Sequence, residues 1–262
     1  MAQSHKALAL VSVLSALALT ACESTAGTNP DGSINLVNDG QLTVCTNPPY
    51  KPFEFEEGGK IVGFDADIAR AIADDMGVDL NMASTGFEGI DSAASLITGQ
   101  CDIAFSGITV TEERKSKMDF TIPYLDDNLA LLVPADSEIT GVDQLAGVRT
   151  GAQQATSGED YATEAGADVV QYEDAALMLS SLQTGQVDAV VANISIVSAA
   201  LAEDDSLKLA TEIETGEQIA GTVSTANPAM LEQANKTIQE LKDTGELSRL
   251  QEQWLGLDNE QK

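Results

Sequence analysis

An arginine follows a glycine and a set of small or hydroxyl-bearing residues in the run Ser106-Gly107-Ile108-Thr109-Val110-Thr111-Glu112-Glu113-Arg114. Small residues leave backbone N–H groups open to an anion. A guanidinium adds a planar fork that grips a carboxylate through two parallel hydrogen bonds. The chain has only four arginines, Arg70, Arg114, Arg149 and Arg249, so one set beside a Gly-Thr turn stands out. The chemistry on offer is carboxylate binding. A second hydroxyl pair, Thr156-Ser157, opens a helix-like stretch, and a helix N-terminus also suits a carboxylate.

Other chemistries are excluded by composition. The sole histidine, His5, lies at the extreme N-terminus, so His-dependent triads, His-ligated zinc and a histidine general base are ruled out for the folded part. Asp+Glu number 42 against 13 Lys+Arg, for a formal charge of −29, which argues against nucleic acid or an anionic membrane surface as a partner. The acids are spread along the chain rather than gathered in a tail, as expected of a solubilising surface.

The first residues read as an export signal. Lys6 supplies a short positive region, and Ala7 to Ala21 is uncharged and mostly apolar but too short for a span of ~20 residues. It ends Leu19-Thr20-Ala21-Cys22, which resembles a bacterial lipobox, so residues 1–21 are expected to be a lipoprotein signal peptide and Cys22 the lipidated N-terminus. Residues 22–39, small, polar and Gly/Pro-bearing in their first part, are expected to be a flexible tether. Cys45 and Cys101 remain. An exported pair invites a disulfide. However, one lies near the end of a predicted strand and the other at the start of a second. Parallel neighbouring strands would hold them at staggered heights, so two buried thiols are expected.

The elements that must position the arginine alternate. Leu42–Cys45 reads as a strand, and a helix follows with Asp65 as its N-cap and Ile68, Ala69, Ile72, Ala73 and Met76 on one face, ended by Gly77. Asp79–Met82 is a second strand, Phe87–Thr98 a helix ended by Gly99, and Ile103–Phe105 a third strand. This βαβαβ order predicts an α/β fold with a parallel sheet. After Leu129–Val133 the alternation begins again: strand Val148–Ala152, helix from Ser157, strand Val169–Tyr172, helix Ala175–Thr184, strand Ala189–Val191. Gly99-Gln100-Cys101-Asp102 is echoed by Gly185-Gln186-Val187-Asp188, which marks two similar halves. A strand at Ile219–Val223 precedes Asn227-Pro228, an N-cap with Pro at N1. The loops Asn47–Phe53, Ser106–Arg114 and Gln153–Gly158, and Asn193, all follow strands. Open α/β sheets bind ligands outside the carboxyl ends of their strands, so these loops predict one site between two lobes.

These segments resemble a known family. Pro52-Phe53-Glu54-Phe55, Gly63-Phe64-Asp65-Ala66-Asp67-Ile68, Gly86-Phe87-Glu88-Gly89-Ile90, Gly107 to Arg114, Asp119-Phe120-Thr121-Ile122-Pro123-Tyr124, Gln153 to Gly158 and Gly185 to Val191 keep the order found in bacterial extracellular solute-binding proteins of the polar-amino-acid class. The resemblance spans about residues 40–255. It implies a two-lobed periplasmic-binding-protein-like fold of type II, with two crossovers between lobes and a ligand cleft between them. Lobe 1 would be 40–128 plus 223–262, lobe 2 would be 133–214, and the hinge would lie at about 129–132 and 215–222. It also implies aromatic contacts to the ligand side chain from Tyr50 and Phe87, with Gln153 beside it. The ligand carboxylate would meet Arg114, Ser106, Gly107 and Thr109, and Thr156 and Ser157 from the other lobe. Asp65 and Asp67 are expected to cap and to be solvated, and Phe53 to be core.

The chain departs from the family pattern where an aspartate usually pairs with the ligand ammonium: Asn193 stands there, and Asn47 stands in the loop after the first strand. A hydrogen bond to a charged group is worth about 1.5–3 kcal/mol, so loss of the charge weakens ammonium binding ~10–100-fold unless another acid serves. Absence of an acid at both positions argues against a lysine- or arginine-type ligand. Ala155, where glycine is usual, adds a methyl. The expected function is a lipid-anchored, monomeric substrate-binding component of an ABC importer. It would sit on the extracellular face of the cytoplasmic membrane and serve a permease and its ATPase. The ligand would be a small polar amino acid or related carboxylate, with no cofactor or metal implied. Two rivals are a dehydratase-like enzyme acting on cyclic carboxylates, with Glu88 or Glu159 as its acid or base, and a sensor lobe feeding a separate signalling partner.

Overall fold

The computed structural model describes residues 27–28 and 34–257. The export signal, His5 and the lipidation residue Cys22 lie outside the described residues. In chain order the principal elements are β1 (Gln41–Thr46), α1 (Phe64–Met76), β2 (Asp79–Ser84), α2 (Phe87–Asp91), α3 (Ala94–Ile97), β3 (Ile103–Ala104), α4 (Glu112–Lys115), β4 (Asp119–Phe120), β5 (Leu125–Asp126) and β6 (Leu129–Pro134). They continue with β7 (Arg149–Gln153), α5 (Ser157–Glu164), β8 (Asp168–Tyr172), α6 (Ala175–Gln183), β9 (Ala189–Asn193), α7 (Ile194–Glu203), β10 (Leu207–Ile213), β11 (Gln218–Ile219), β12 (Thr222–Val223), α8 (Pro228–Asp243) and α9 (Glu246–Leu255). Strands form two sheets of five, ordered β2-β1-β3-β12-β4 and β8-β7-β9-β6-β10. In each sheet the first three strands are parallel and the last two ladders antiparallel. The sequence echo therefore corresponds to two lobes built on one plan.

Sheets covered on both faces need apolar runs rather than alternation. Leu42, Val44 and Cys45 of β1 and Ala189, Val190 and Val191 of β9 are fully buried. Helix α1 buries Ile68, Ala69, Ile72 and Ala73 and ends on Gly77 at φ 67°. Helices α8 and α9 return to the first lobe, where Met230, Ala234, Ile238 and Leu250 join the same core as Ile68 and Ile72. The Trp254 indole N–H donates to Asp67 Oδ2 at 2.8 Å, so Asp67 anchors the last helix rather than standing free in water.

Several expectations are corrected. The segment 129–132, expected as hinge, lies inside β6, hydrogen-bonded in the second sheet to β9 and β10. The strands that pair between the two sheets are β5 and β11, with Leu125 opposite Ile219. The single strand expected over 219–223 is divided, because its first residues pair with β5 and its last with β3 and β4. The helix expected over 87–98 breaks into α2 and α3 at Ala93, φ 61°, which buries Ile90, Ala93 and Leu96 together and leaves Asp91 at the end of α2. The tether expected over 22–39 is docked from Ile34 onward. Ile34 and Leu36 pack against the first core, and Asp102 accepts hydrogen bonds from Val37 N (2.7 Å) and Thr43 N (2.8 Å).

The two cysteines form a disulfide, Cys45–Cys101, with Cα atoms 5.6 Å apart. The stagger argument fails because β3 begins only at Ile103. Cys101 belongs to the incoming turn, so strand register does not set its height. The bridge lies in a small core with Phe87, Ile90, Leu96, Ile108 and Met118, directly behind the loop that follows β1.

Two carboxylates lie fully buried beneath the anion loop. Asp65 does not cap α1, which begins at Phe64 with Gly63 at its N-cap; its side chain turns inward. Asp65 Oδ2 accepts the Gly107 N–H at 2.7 Å, and Oδ1 accepts the Tyr124 hydroxyl at 2.9 Å. Glu54 accepts from the Ser106 hydroxyl, which itself accepts Asn47 N–H at 3.1 Å. Burial pushes the Asp65 carboxyl up to about 7 against the pull of those two hydrogen bonds, and burial, with Asp65 adding to it, raises Glu54 well above the usual range.

Two outcomes are expected. Replacing both Cys45 and Cys101 by serine should lower unfolding free energy by ~2–4 kcal/mol, since the bridge closes a long loop. Urea titration checks this, and an unchanged midpoint, or alkylation of both thiols in the unreduced protein, would contradict it. The second outcome concerns pH. An acid whose folded pKa is raised keeps its proton in the folded state after the unfolded state has lost it near pH 4, so its contribution to stability is lost as pH rises to about 7. Stability should therefore fall between pH 4.5 and pH 7.5 (values on the order of these two pKa limits), and Asp65→Asn should flatten the fall. An equal slope in the variant would show that Asp65 does not titrate there.

Candidate functional site

Arg114 lies in the short helix α4, whose N-cap Thr111 accepts the Arg114 N–H at 3.1 Å. Its side chain is 5% exposed. Nε donates to Asp91 Oδ1 at 2.8 Å, Nη1 to Thr109 O at 2.8 Å and Nη2 to Ala155 O at 2.8 Å. The guanidinium also lies over the Phe87 ring, 5.3 Å from its centroid. Of the five N–H donors of a guanidinium, these bonds engage three, leaving one on each terminal nitrogen. Each terminal nitrogen thus keeps a donor that a carboxylate can engage. The last bond reaches the other lobe, so Arg114 connects the anion loop to the segment before α5.

The anion loop is shaped by what packs on it. Gly107 adopts φ +53°, and a Cβ there would approach Tyr50 Cε1 to 2.7 Å. Glycine therefore serves both the turn and the closeness of the aromatic ring. Tyr50 stacks on Phe53 at 5.7 Å between centroids, and Phe53 is fully buried core, as expected. The Thr109 backbone pairs with Ile219, and Val110 N donates to Gln218 O at 2.8 Å, which ties the loop to β11.

From the second lobe, α5 points its N-terminus at this loop. Thr156 is its N-cap: the hydroxyl donates to Gln153 O at 2.6 Å and accepts Glu159 N–H at 3.3 Å. The Thr156 side chain is thus engaged in capping, and Ser157 presents its hydroxyl to the cleft. Gly158 allows the approach of α5 to β9, where a Cβ would come within 2.8 Å of Val191 O. Ala155 holds φ 61°, and its methyl packs against the first-lobe core around Phe87, so this methyl adds an apolar contact between lobes.

The residues expected to meet the ligand converge. Asn47, Tyr50, Phe87, Ser106, Thr109, Arg114, Gln153 and Asn193 are all buried, and Thr156 and Ser157 are half-buried. Several bond directly across the cleft: Gln153 Nε2 donates to Asn47 Oδ1 at 2.7 Å, and the Tyr50 hydroxyl donates to Asn193 Oδ1 at 3.1 Å. At the rim Lys51 pairs with Glu203 at 2.9 Å. Gln153 Oε1 is buried without a hydrogen-bond partner among the described residues.

Sequence reasoning missed Glu54, Asp65, Asp91, Asp127 and Glu217. Both Glu54 and Asp65 lie in quoted motifs, but Asp65 reads as a solvated helix cap and Glu54 draws no role, since no periodicity marks an inward turn. Asp127 Oδ1 accepts Ser195 N–H at 3.2 Å and the Ser195 hydroxyl at 2.7 Å, capping the first turn of α7 from a neighbouring segment. Burial pushes its carboxyl up to about 7, with Ser195 opposing. Glu217 Oε2 accepts the Ser157 hydroxyl at 3.0 Å and contacts Thr109 Oγ1 at 3.5 Å.

Known proteins are similar to this chain in sequence and in overall structure. The model for bacterial extracellular solute-binding proteins, family 3, matches residues 42–257. The L-cystine-binding protein TcyJ of Escherichia coli (strain K12) is 29% identical over 95% of this chain and 96% of its own. Among solved structures, the substrate-binding protein of an amino acid ABC transporter is 33% identical with a TM-score of 0.79, covering 83% of this chain and 100% of that one. An ancestral arginine-binding protein bound to arginine is 32% identical with a TM-score of 0.77, covering 83% of this chain and 99% of that one. With its two lobes of matched topology, the cleft between them and a family match over nearly the whole described chain, this protein belongs to the bacterial extracellular solute-binding proteins of family 3.

Proposed function

We propose that the chain is the lipid-anchored substrate-binding component of an ABC importer and binds a small polar amino acid or related carboxylate between its lobes. The observation that carries this reading is Arg114. One guanidinium is bonded to Thr109 O of one lobe and Ala155 O of the other, with a donor free on each terminal nitrogen. A carboxylate accepting both would lie between Ser157 and the anion loop, with Tyr50 and Phe87 for the rest of the ligand. Contacts to both lobes give the closed form a higher affinity, and only such a difference moves an open–closed equilibrium. Strands β5 and β11 would be the hinge, and the closed form would then dock on a permease.

The enzymatic rival gains nothing from the acids named for it. Glu159 Oε2 accepts the Ala155 N–H at 2.7 Å, and Glu88 is exposed on α2. Neither is a free acid or base in the cleft. Lipid anchoring at Cys22 rests on the lipobox resemblance alone.

A thermal-shift screen of the standard L-amino acids and L-cystine against the mature protein should give a raised melting temperature for at least one. Arg114→Ala should then lower the affinity for that ligand at least ~100-fold, since two charge-assisted hydrogen bonds are lost. Arg114→Lys, which retains charge without the fork, controls for loss of the buried pair with Asp91 and should stay at least ~10-fold weaker than the parent. Retained affinity in both would remove the clamp. Separately, Cys22→Ser should release the protein from the membrane fraction, and continued attachment would refute the lipobox reading.

A further inference from the structure

Asn193 cannot serve a cation in the way an aspartate would, and the structure shows its amide already engaged. Its Oδ1 accepts the Tyr50 hydroxyl at 3.1 Å and its Nδ2 donates to Asp127 O at 3.2 Å. The nearby Asp127 carboxylate holds the start of α7 with Oδ1 through Ser195, and its Oδ2 is buried without a hydrogen-bond partner among the described residues. Glu217 differs from both in reaching the hydroxyls that frame the clamp. It is half-buried on the second segment joining the lobes, and it meets the cleft through the hydroxyls of Ser157 at 3.0 Å and Thr109 at 3.5 Å. Among the described residues no Lys or Arg lies within ion-pair distance of it. Main-chain bonds hold its position from both sides: Asp127 N donates to Glu217 O at 3.0 Å, and Val110 N donates to the next carbonyl, Gln218 O, at 2.8 Å.

The charge balance then decides what the cleft accepts. Arg114 is the guanidinium at the clamp, and Asp91 already meets its charge at 2.8 Å. A ligand bearing only a carboxylate would place a second anion beside Glu217 in a site largely shielded from water, where like charges repel strongly. A ligand with an ammonium next to its carboxylate supplies the missing cation at the Thr109–Ser157–Glu217 cluster. We propose that Glu217 is the anionic partner of the ligand's α-ammonium, doing from the hinge segment what Asn193 cannot do from the end of β9, so that the cleft selects zwitterionic α-amino acids over simple carboxylates. This rests on the cleft reading above and narrows it. Glu217 is a specificity-determining residue that gives the site its preference for one end group.

The test uses the mature wild-type protein, Glu217→Gln, Asn193→Asp and the double variant. Each is titrated calorimetrically with the L-amino acid giving the largest thermal shift and with the same molecule lacking its amino group. The wild type should prefer the amino acid at least ~10-fold. Glu217→Gln should lose ~10–100-fold for the amino acid and little for the des-amino analogue, as removal of one charge-assisted contact requires. The double variant, with an acid restored at the end of β9, should recover most of the loss. Unchanged or tighter amino-acid binding by Glu217→Gln would overturn the proposal; tighter binding would mean that Glu217 merely occupies the clamp. Equal loss for both ligands without recovery in the double variant would also overturn it, as a structural effect. If the wild type binds none of the amino acids, the cleft reading itself fails and the assignment of Glu217 falls with it.

Discussion

The bonds from Arg114 to Asp91, Thr109 O and Ala155 O tie one lobe to the other and, in the function proposed, set where a carboxylate would sit. Taking a guanidinium out of water is unfavourable by several kcal/mol unless its donors are met. The fold answers with a carboxylate from the end of α2, a carbonyl from its own loop and a carbonyl from the opposite lobe. The break at Ala93 is part of that answer, since it ends α2 at Asp91. Phe87, at the start of the same short helix, covers the guanidinium face and limits water access.

Behind the arginine lies a second layer. Asp65 holds Gly107 by its N–H, Glu54 holds Ser106 by its hydroxyl, and Cys45–Cys101 pins the end of β1 to the turn before β3. A buried carboxylate is unfavourable when charged, which is why burial raises both acids. Their geometry nonetheless serves the loop whether or not they carry a proton, because each keeps an oxygen that accepts. Across the cleft the direct bonds include Gln153 to Asn47, Tyr50 to Asn193 and Arg114 to Ala155, with the Thr109–Ser157 hydroxyl contact and, at the rim, the exposed Lys51–Glu203 pair. At a net value of about 0.5–1.5 kcal/mol each, they give closure only a modest bias. In the function proposed, a ligand that adds charge-assisted contacts to both lobes would outweigh that bias, and closure would follow occupancy.

Much of this was legible in the residues. The βαβαβ order, the echo of Gly99-Gln100 in Gly185-Gln186, and the placing of Arg114, Gln153 and Asn193 after strands all follow from periodicity and turn chemistry. What was not legible depended on three-dimensional direction. Asp65 falls one position inside a helix whose first residue is Phe64, and nothing local distinguishes an inward acid from a capping one. The Cys45–Cys101 bridge needed the true start of β3, a boundary that local propensity places poorly. Glu217 ends a polar, Gly-bearing stretch, Glu214-Thr215-Gly216-Glu217, that runs into the expected hinge at 215–222, where nothing local marks one acid as facing the cleft. Only its pairing with the anion loop brings it to Thr109 and Ser157.

Everything proposed for the cleft turns on one carboxylate shared between the lobes at Arg114. A crystal structure of the protein loaded with an amino acid that it binds would locate that carboxylate. It should lie within hydrogen-bond distance of both terminal nitrogens of Arg114 and of the Ser157 region at the start of α5. A ligand seated elsewhere, or one whose carboxylate leaves Arg114 bonded only to protein, would contradict it.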